Sequence, residues 1–242
     1  MKWLIDIGNS RIKWARSDGT RITDVRAAAN DRMADAELWK NIQIDDSVWI
    51  ASVAGESVNR QVNDLIAERT SRVATFVHSV AHACGVRNAY AAPERLGVDR
   101  FLALIAARAR IPRTVVIASC GTALTLDAID GTGRHLGGLI APSPDLMQAS
   151  LRERTAKLRD VAATAVVEIA DSTDAAVMSG TWLAAVALVE RFVERVPHDE
   201  KMPTLILTGG GADALAALIA IPHVVCNDLV LEGLAIRSDV AL

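Results

Sequence analysis

A chain of 242 residues, 51% of them apolar, is long enough to bury a sizeable core without disulfides or metals. Its formal net charge of −3, with both signs mixed throughout, gives no case for general nucleic-acid binding. The opening Met1-Lys2-Trp3-Leu4-Ile5-Asp6 meets a carboxylate before a signal-peptide core could form, and no run approaches the ~20 apolar residues of a bilayer span, so a cytoplasmic protein without membrane contact is expected.

In chain order, 2–7, 11–16 and 20–27 read as a three-stranded meander, turning at Gly8-Asn9 and at the hairpin signal Asp18-Gly19. A helix is predicted over 31–40 and a buried strand at Val48–Val53. Over 56–69, Val58, Val62, Leu65 and Ile66 recur on one helical face. Another strand follows at Val73–Val77, and an alanine-rich helix at 98–110. From Thr114 the order repeats: strands at 114–119, 122–130 and 134–140, then a capped helix from Ser143 to Leu151 and a long helix over 174–195. A strand at 204–207, a helix at 212–220, a strand at 223–226 and a helix at 229–237 close the chain. A meander with alternating helices, occurring twice, implies two α/β halves around a central cleft, 1–111 and 112–242, with the boundary near Ile111-Pro112-Arg113.

Three glycine loops follow apolar runs: Asp6-Ile7-Gly8-Asn9-Ser10, Ser119-Cys120-Gly121-Thr122-Ala123 and Thr208-Gly209-Gly210-Gly211-Ala212. Glycine lets the chain turn tightly and lets a ligand approach backbone N–H groups, which together form a concave anion site. Two such hairpin turns suggest two jaws on a phosphate chain, and the third loop offers a nucleoside a flat surface. Asp6, at a strand end beside a glycine turn, could hold magnesium next to phosphates, and Lys13 could reach back over the turn. The competing reading is a hairpin whose Asp and Asn bond only the local backbone. Gly97-Val98-Asp99-Arg100 opens a helix, where Asp99 could be a cap and Arg100 its solvated partner. The same residues could instead bind an anionic substrate, Arg100 clamping a carboxylate and Asp99 accepting a hydroxyl proton.

Other chemistries find less support. No Gly-Lys dipeptide occurs, which excludes a Walker A loop, and neither His-Glu-x-x-His nor Gly-x-Ser-x-Gly is present. His78 and His82 sit four apart without an evident third metal ligand. Gly209–Ala214 fits Gly-x-Gly-x-x-Ala with Asp228 beyond the next strand, but a dinucleotide fold would need more chain after it. Cys84, Cys120 and Cys226 are scattered, as reduced thiols are, and Cys120 reads as a buried filler. Arg152, Arg154, Lys157 and Arg159 read as a solvated or interface face.

The order of Asp6-x-Gly-Asn-Ser, Gly97-Val-Asp-Arg, Gly121-Thr-Ala with Thr125, Gly137-Gly138-x-Ile140-x-Pro142 and Thr208-Gly-Gly-Gly resembles that of type III pantothenate kinases, over nearly the whole chain. Gly-x-Asp-Arg is the most discriminating of these motifs. The glycine loops alone match the wider superfamily of acetate and sugar kinases, heat-shock proteins and actin. The resemblance implies two actin-like, ribonuclease H-like halves, each a mixed sheet with flanking helices. It also implies ATP-dependent phosphorylation of pantothenate, the first step of coenzyme A synthesis.

By the same resemblance Asp6, Ile7, Gly8, Asn9, Ser10, Arg11, Ile12 and Lys13 line the ATP phosphate site, with Mg2+ at Asp6. Gly121, Thr122, Gly209 and Gly210 are further nucleotide contacts. Tyr90, Gly97, Val98, Asp99 and Arg100 bind pantothenate, Asp99 being the general base, and Thr173 reaches pantothenate from the second subunit of a homodimer. A monovalent cation, K+ or NH4+, is implied too, but Ser119 stands where many members carry its aspartate ligand. Two alternatives stay open at this point: a regulatory nucleotide-binding protein that has lost turnover, and a kinase for another small hydroxy acid.

Overall fold

The computed structural model describes residues 1–19, 21–35, 38–70, 73–155, 158, 164–198 and 202–240. The chain forms two compact units. The first is Met1–Pro112 with Gly131–His135 and Asp228–Leu242; the second is Arg113–Asp130 with Leu136–Asn227.

The first unit is built on β1 (Lys2–Ile7), β2 (Arg11–Ser17), β3 (Ile22–Ala29), β4 (Ser47–Ser52) and β5 (Thr75–Val77), in the sheet order β3-β2-β1-β4-β5. The meander β1-β2-β3 is antiparallel, and β4 and β5 run parallel to β1. Trp3, Ile5 and Ile7 alternate along β1 and join Ile12, Trp14, Val62 and Ile66 in one core. The helix expected over 31–40 is a 3-10 turn at Asn30–Asp35 and a short α1 (Leu38–Asn41), with 36–37 outside the described residues. Trp39 donates its indole N–H to the Met33 carbonyl at 2.6 Å, which ties the two pieces together. In α2 (Glu56–Ala67) the expected face is the inner one, with Val62 and Ile66 buried.

Two small elements lie outside the sequence expectations: the hairpin of β6 (His82–Ala83) and β7 (Val86–Arg87), and a 3-10 turn at Pro93–Arg95. The hairpin turns through Cys84 and Gly85, both at positive φ (49° and 77°). Gly133 is wedged against it. A Cβ at 133 would lie 2.0 Å from the Gly85 carbonyl oxygen, so this approach requires glycine. Next comes α3 (Val98–Arg110), whose first three turns are buried except at Asp99, as its apolar, alanine-rich sequence allows. It crosses the last helix, α7 (Leu229–Ser238), where Gly233 meets the backbone of Leu102.

The second unit repeats the pattern. Its strands are β8 (Val115–Cys120), β9 (Ala123–Ile129), β10 (His135–Pro142), β11 (Thr204–Thr208) and β12 (His223–Val225), in the order β10-β9-β8-β11-β12. Again β8 and β9 are antiparallel, while β11 and β12 run parallel to β8. Its helices are α4 (Pro144–Arg154), α5 (Thr173–Arg195) and α6 (Ala212–Ala216), the last shorter than expected. Ser143 caps α4 through Leu146 N–H, and Ser172 caps α5 through Ala175 N–H. Arg152 and Arg154 are exposed, whereas Lys157 and Arg159 lie outside the described residues.

One expectation needs correction. Among the described residues, α5 is long and apolar enough to cross a bilayer, with a window of mean hydropathy 1.4. The run escapes a reading by eye because Ser179, Gly180 and Thr181 interrupt it without adding charge. In this fold Ala185, Val186, Val189 and Val193 pack it into the second core, a use that passes the same test of length and composition.

Candidate active site

The first glycine loop is a four-residue connection, since Ile7 is the register partner of Ile12. Gly8 N–H donates to the Arg11 carbonyl at 2.9 Å. From the end of β3, Asn30 holds the loop twice: its Nδ2 donates to the Gly8 carbonyl at 2.8 Å, and its backbone N–H donates to the Ser10 carbonyl at 3.1 Å. Asn9, Ser10 and Arg11 are exposed, while the Ile7 and Ile12 side chains are wholly buried. Of those two, only the backbone can face a ligand. Asp6 and Lys13 are register partners on neighbouring strands. Lys13 Nζ also lies 3.1 Å from Oδ1 of Asp228, the residue before α7. Asp228, which follows the third glycine loop in sequence, thus sits in the first unit, paired with the lysine of the first loop.

Asp99 stands in the first turn of α3 with its carboxylate folded back, Oδ1 accepting the Arg100 backbone N–H at 2.8 Å. Gly97 leaves room for this, because a Cβ there would lie 2.6 Å from Asp99 Oδ1. The Asp6 carboxyl is pushed up to about 7, first by burial and then by the like charge of Asp99, against the pull of Lys13. So the two aspartates, 93 residues apart in sequence, act on each other electrostatically.

Arg100 is buried, and its Nη1 donates to the Tyr90 hydroxyl at 3.2 Å. Tyr90 is held from below: its N–H donates to Asn88 Oδ1 at 3.0 Å, and Asn88 Nδ2 donates to the Pro93 carbonyl at 3.1 Å. Its ring stacks on His135, with centroids 6.0 Å apart and planes at 16°. Sequence reasoning did not single out His135. It lies outside every motif, and only the fold brings it under Tyr90.

In the second unit, β8 turns into β9 through a three-residue connection, Cys120 pairing with Leu124 and Gly121 N–H donating to the Ala123 carbonyl at 2.9 Å. The Thr122 carbonyl accepts the Ser143 hydroxyl at 3.0 Å, so the cap of α4 steadies this loop. The third glycine loop leans on the second: Gly211 N–H donates to the Cys120 carbonyl at 2.9 Å, and a Cβ at Gly209, whose φ is +90°, would lie 2.5 Å from that oxygen. Cys120 is buried among these atoms, and burial, with Asp145 adding to it, pushes its thiol up to about 11. Such a thiol is a packing group, not a nucleophile. Ser119 is flanked by Thr125 and Thr208. Thr173 is the exposed first residue of α5. Among the described residues no group of three His, Cys, Asp or Glu side chains could hold a metal by itself.

The chain therefore places 6–13, Tyr90 and 97–100 in one unit, and 119–123, Thr173 and 208–211 in the other. The family model for type III pantothenate kinases matches residues 3–195. A type III pantothenate kinase of Xanthomonas campestris is 42% identical over 97% of this chain and 96% of its own length. Two solved structures share the fold. A Campylobacter jejuni protein assigned to the Baf family of transcriptional activators has a TM-score of 0.66 at 20% identity, covering 98% of each chain. A Sinorhizobium meliloti protein assigned as a 2-dehydro-3-deoxygalactonokinase has 0.65 at 13% identity, covering 100% of each. At such identities these two likenesses speak for the fold alone, two mixed sheets with flanking helices.

Proposed function

Because the chain belongs to the type III pantothenate kinase family, we propose that it transfers the γ-phosphoryl group of ATP to the primary hydroxyl of pantothenate, yielding 4'-phosphopantothenate and ADP at the first step of coenzyme A biosynthesis. The observation that carries the reading to particular atoms is the arrangement at the start of α3, where Asp99, Arg100 and Tyr90 lie together and Asp6 feels the charge of Asp99. Arg100, steered by the Tyr90 hydroxyl, binds the pantothenate carboxylate, and Gly97 and Val98 present the helix start to the same anion. Asp99 accepts the hydroxyl proton as the oxygen attacks phosphorus and the bond to ADP breaks. The Asn9 and Ser10 side chains, with the N–H groups of the first loop, orient the phosphates, and Lys13 and Arg11 add positive charge. Gly121, Thr122, Gly209 and Gly210 hold the nucleotide in the second unit. Most of the gain comes from positioning and preset charge rather than from covalent chemistry.

The residues fit a divalent cation. A carboxyl raised to about 7 beside a second carboxylate is one that Mg2+ would keep ionised, so Asp6 is the residue that would hold it. When bound, the ion would neutralise phosphate charge. The position of Ser119 does not fit a tightly held monovalent cation, since Ser119, Thr125 and Thr208 offer neutral oxygens only, and no step is assigned to one. Thr173 reaches the substrate from the second subunit of a homodimer; the dimer is supported by apolar side chains exposed on β10 and α4, namely Leu139, Ile140, Leu146 and Leu151. Three free cysteines suit a cytoplasmic setting. A coupled assay for pantothenate-dependent ADP release tests the whole reading. Release with pantothenate and none with other small hydroxy acids is expected, and ADP release indifferent to pantothenate would overturn it.

A further inference from the structure

The Tyr90–His135 stack is not explained by phosphoryl transfer as described. His135 is 1% exposed, yet it carries two ring nitrogens into the protein. Its Nδ1 accepts from the Ala89 N–H at 3.5 Å, at the outer limit of a hydrogen bond. To Tyr90 it offers a face. The imidazole lies nearly parallel to the Tyr90 ring, and Tyr90 in turn presents its hydroxyl to Arg100 Nη1 at 3.2 Å, with the guanidinium carbon 6.0 Å from the ring centroid.

The surroundings hold His135 firmly. It ends the turn 131–135, which belongs to the first unit, although β9 before it and β10 from Leu136 on belong to the second. Arg87 N–H donates to the Gly133 carbonyl at 2.8 Å, Arg87 and Arg134 form an isolated parallel bridge, and Gly133 is seated on the Gly85 carbonyl. The β6–β7 hairpin thus clamps the turn that carries His135, and the segment after the hairpin carries Tyr90.

We propose that His135 is a positioning residue for the pantothenate subsite. Its imidazole sets the plane of Tyr90, and through the Tyr90 hydroxyl it sets the direction of the Arg100 guanidinium that receives the substrate carboxylate. The effect belongs to ground-state binding of one substrate and leaves the proton-accepting Asp99 untouched. This inference rests on the pantothenate kinase reading of the same site.

The test is steady-state kinetics on the full chain with both substrates varied. His135→Leu fills the volume without an aromatic face, and His135→Phe restores the face without the nitrogens. The leucine variant is expected to raise KM for pantothenate about two- to tenfold, the range an aromatic pair supplies beyond its burial, with kcat and KM for ATP close to the parent's. The phenylalanine variant is expected to regain most of that loss. Tyr90→Phe, which keeps the ring but removes the hydroxyl, should raise the same KM, and adding His135→Leu to it should cost less than the two changes separately. An unchanged pantothenate KM in His135→Leu overturns the proposal. So does a phenylalanine variant no better than the leucine one, or full additivity with Tyr90→Phe. Should His135→Leu not fold, the Phe variant and its cycle with Tyr90→Phe still decide: a pantothenate KM raised as far as the Tyr90→Phe one rejects the stack. If the parent releases no ADP with pantothenate, the reading of the site has failed; if it does and the variants behave as the parent, only the role of His135 has.

Discussion

The two sheets are laid out alike, strand for strand, and differ in what they place at one position. Asp6 and Ser119 are each the penultimate residue of the first central strand, each half-buried, each two residues before a loop glycine. Asp6 faces Lys13 across the antiparallel pair and Ala51 across the parallel one. Ser119 faces Thr125 and Thr208. One topology therefore presents a charged pair in one unit and a cluster of hydroxyls in the other. The next level matches too: Val53 N–H donates to the Ile7 carbonyl at 3.0 Å, as Gly211 N–H does to the Cys120 carbonyl at 2.9 Å. Duplicated backbones give each unit a strand end and a loop that can meet phosphate. On the proposed reading the side chains then divide the work, charge and proton transfer falling to the first unit and neutral contacts to the second.

The sharpest way to break this division is to neutralise a charge in the first unit. Asp99→Asn should lower kcat by at least ~10²-fold, the low end for a general base, with the melting temperature near the parent's. Turnover close to normal would remove Asp99 from the proton step. The next largest effect should come from the glycines of the matching loops. Gly209 has φ +90° and no room for a Cβ, whereas the space around Gly55, after β4, is open. Gly209→Ala should cost ~1–3 kcal/mol, lowering the melting temperature by about 2–12 °C, while Gly55→Ala should change it by about 1 °C or less. Equal shifts for the two would mean that the loops are built alike after all.

Much of this comparison was legible in the sequence because it is local. Asp-x-Gly and Ser-x-Gly after apolar runs mark both strand ends, and the meanders follow from turn chemistry at Gly8-Asn9 and Asp18-Gly19. Helices with one apolar face, such as α2, or with a serine cap, such as α4 and α5, lie close to their expected limits. What was not legible depends on distant partners. The β6–β7 hairpin has two residues in each strand, too few for periodicity to register. His135 acquires meaning only when Tyr90 arrives from 45 residues away. The return of 228–242 to the first unit depends on Gly233 meeting Leu102, and nothing in the local sequence of α7 points to α3. The short-range rules found the strand ends, and the long-range contacts decided which of them carries a second carboxylate.

Asp6 sharpens the comparison through pH. Its carboxyl sits at about 7 in the folded chain against an ordinary 3.8, so the folded state holds the proton more tightly than the unfolded one. Stability from this group is therefore greatest at low pH and falls as pH rises from about 4 to about 7. Asp6→Asn removes the penalty. Its melting temperature in magnesium-free buffer should exceed the parent's at pH 8, and the gap should close near pH 4. Adding Mg2+ at pH 8 should raise the parent's melting temperature and leave the variant's nearly unmoved. A gap that does not depend on pH would show that burial and Asp99 do not act on Asp6 as described, and equal magnesium responses would take Asp6 out of the metal role.

The smallest effect is expected at the partner position, and it tests whether neutrality there has a consequence. Oxygen ligands bind hard cations more tightly as their formal charge rises, so a serine between two threonines should hold K+ weakly. Exchanging K+ for Na+ should change the parent's turnover by less than about twofold. Ser119→Asp would give the second unit the carboxylate that the first has at Asp6, and Thr125 and Thr208 would supply further oxygens beside it. The variant's rate should then depend on K+ or NH4+, being low in Na+ and recovering as either ion is added, with KM for pantothenate unchanged. A parent that already requires K+ would mean that the three hydroxyls bind the ion without help. A Ser119→Asp variant indifferent to the cation would mean that this strand end lies too far from the phosphates for a charge to matter.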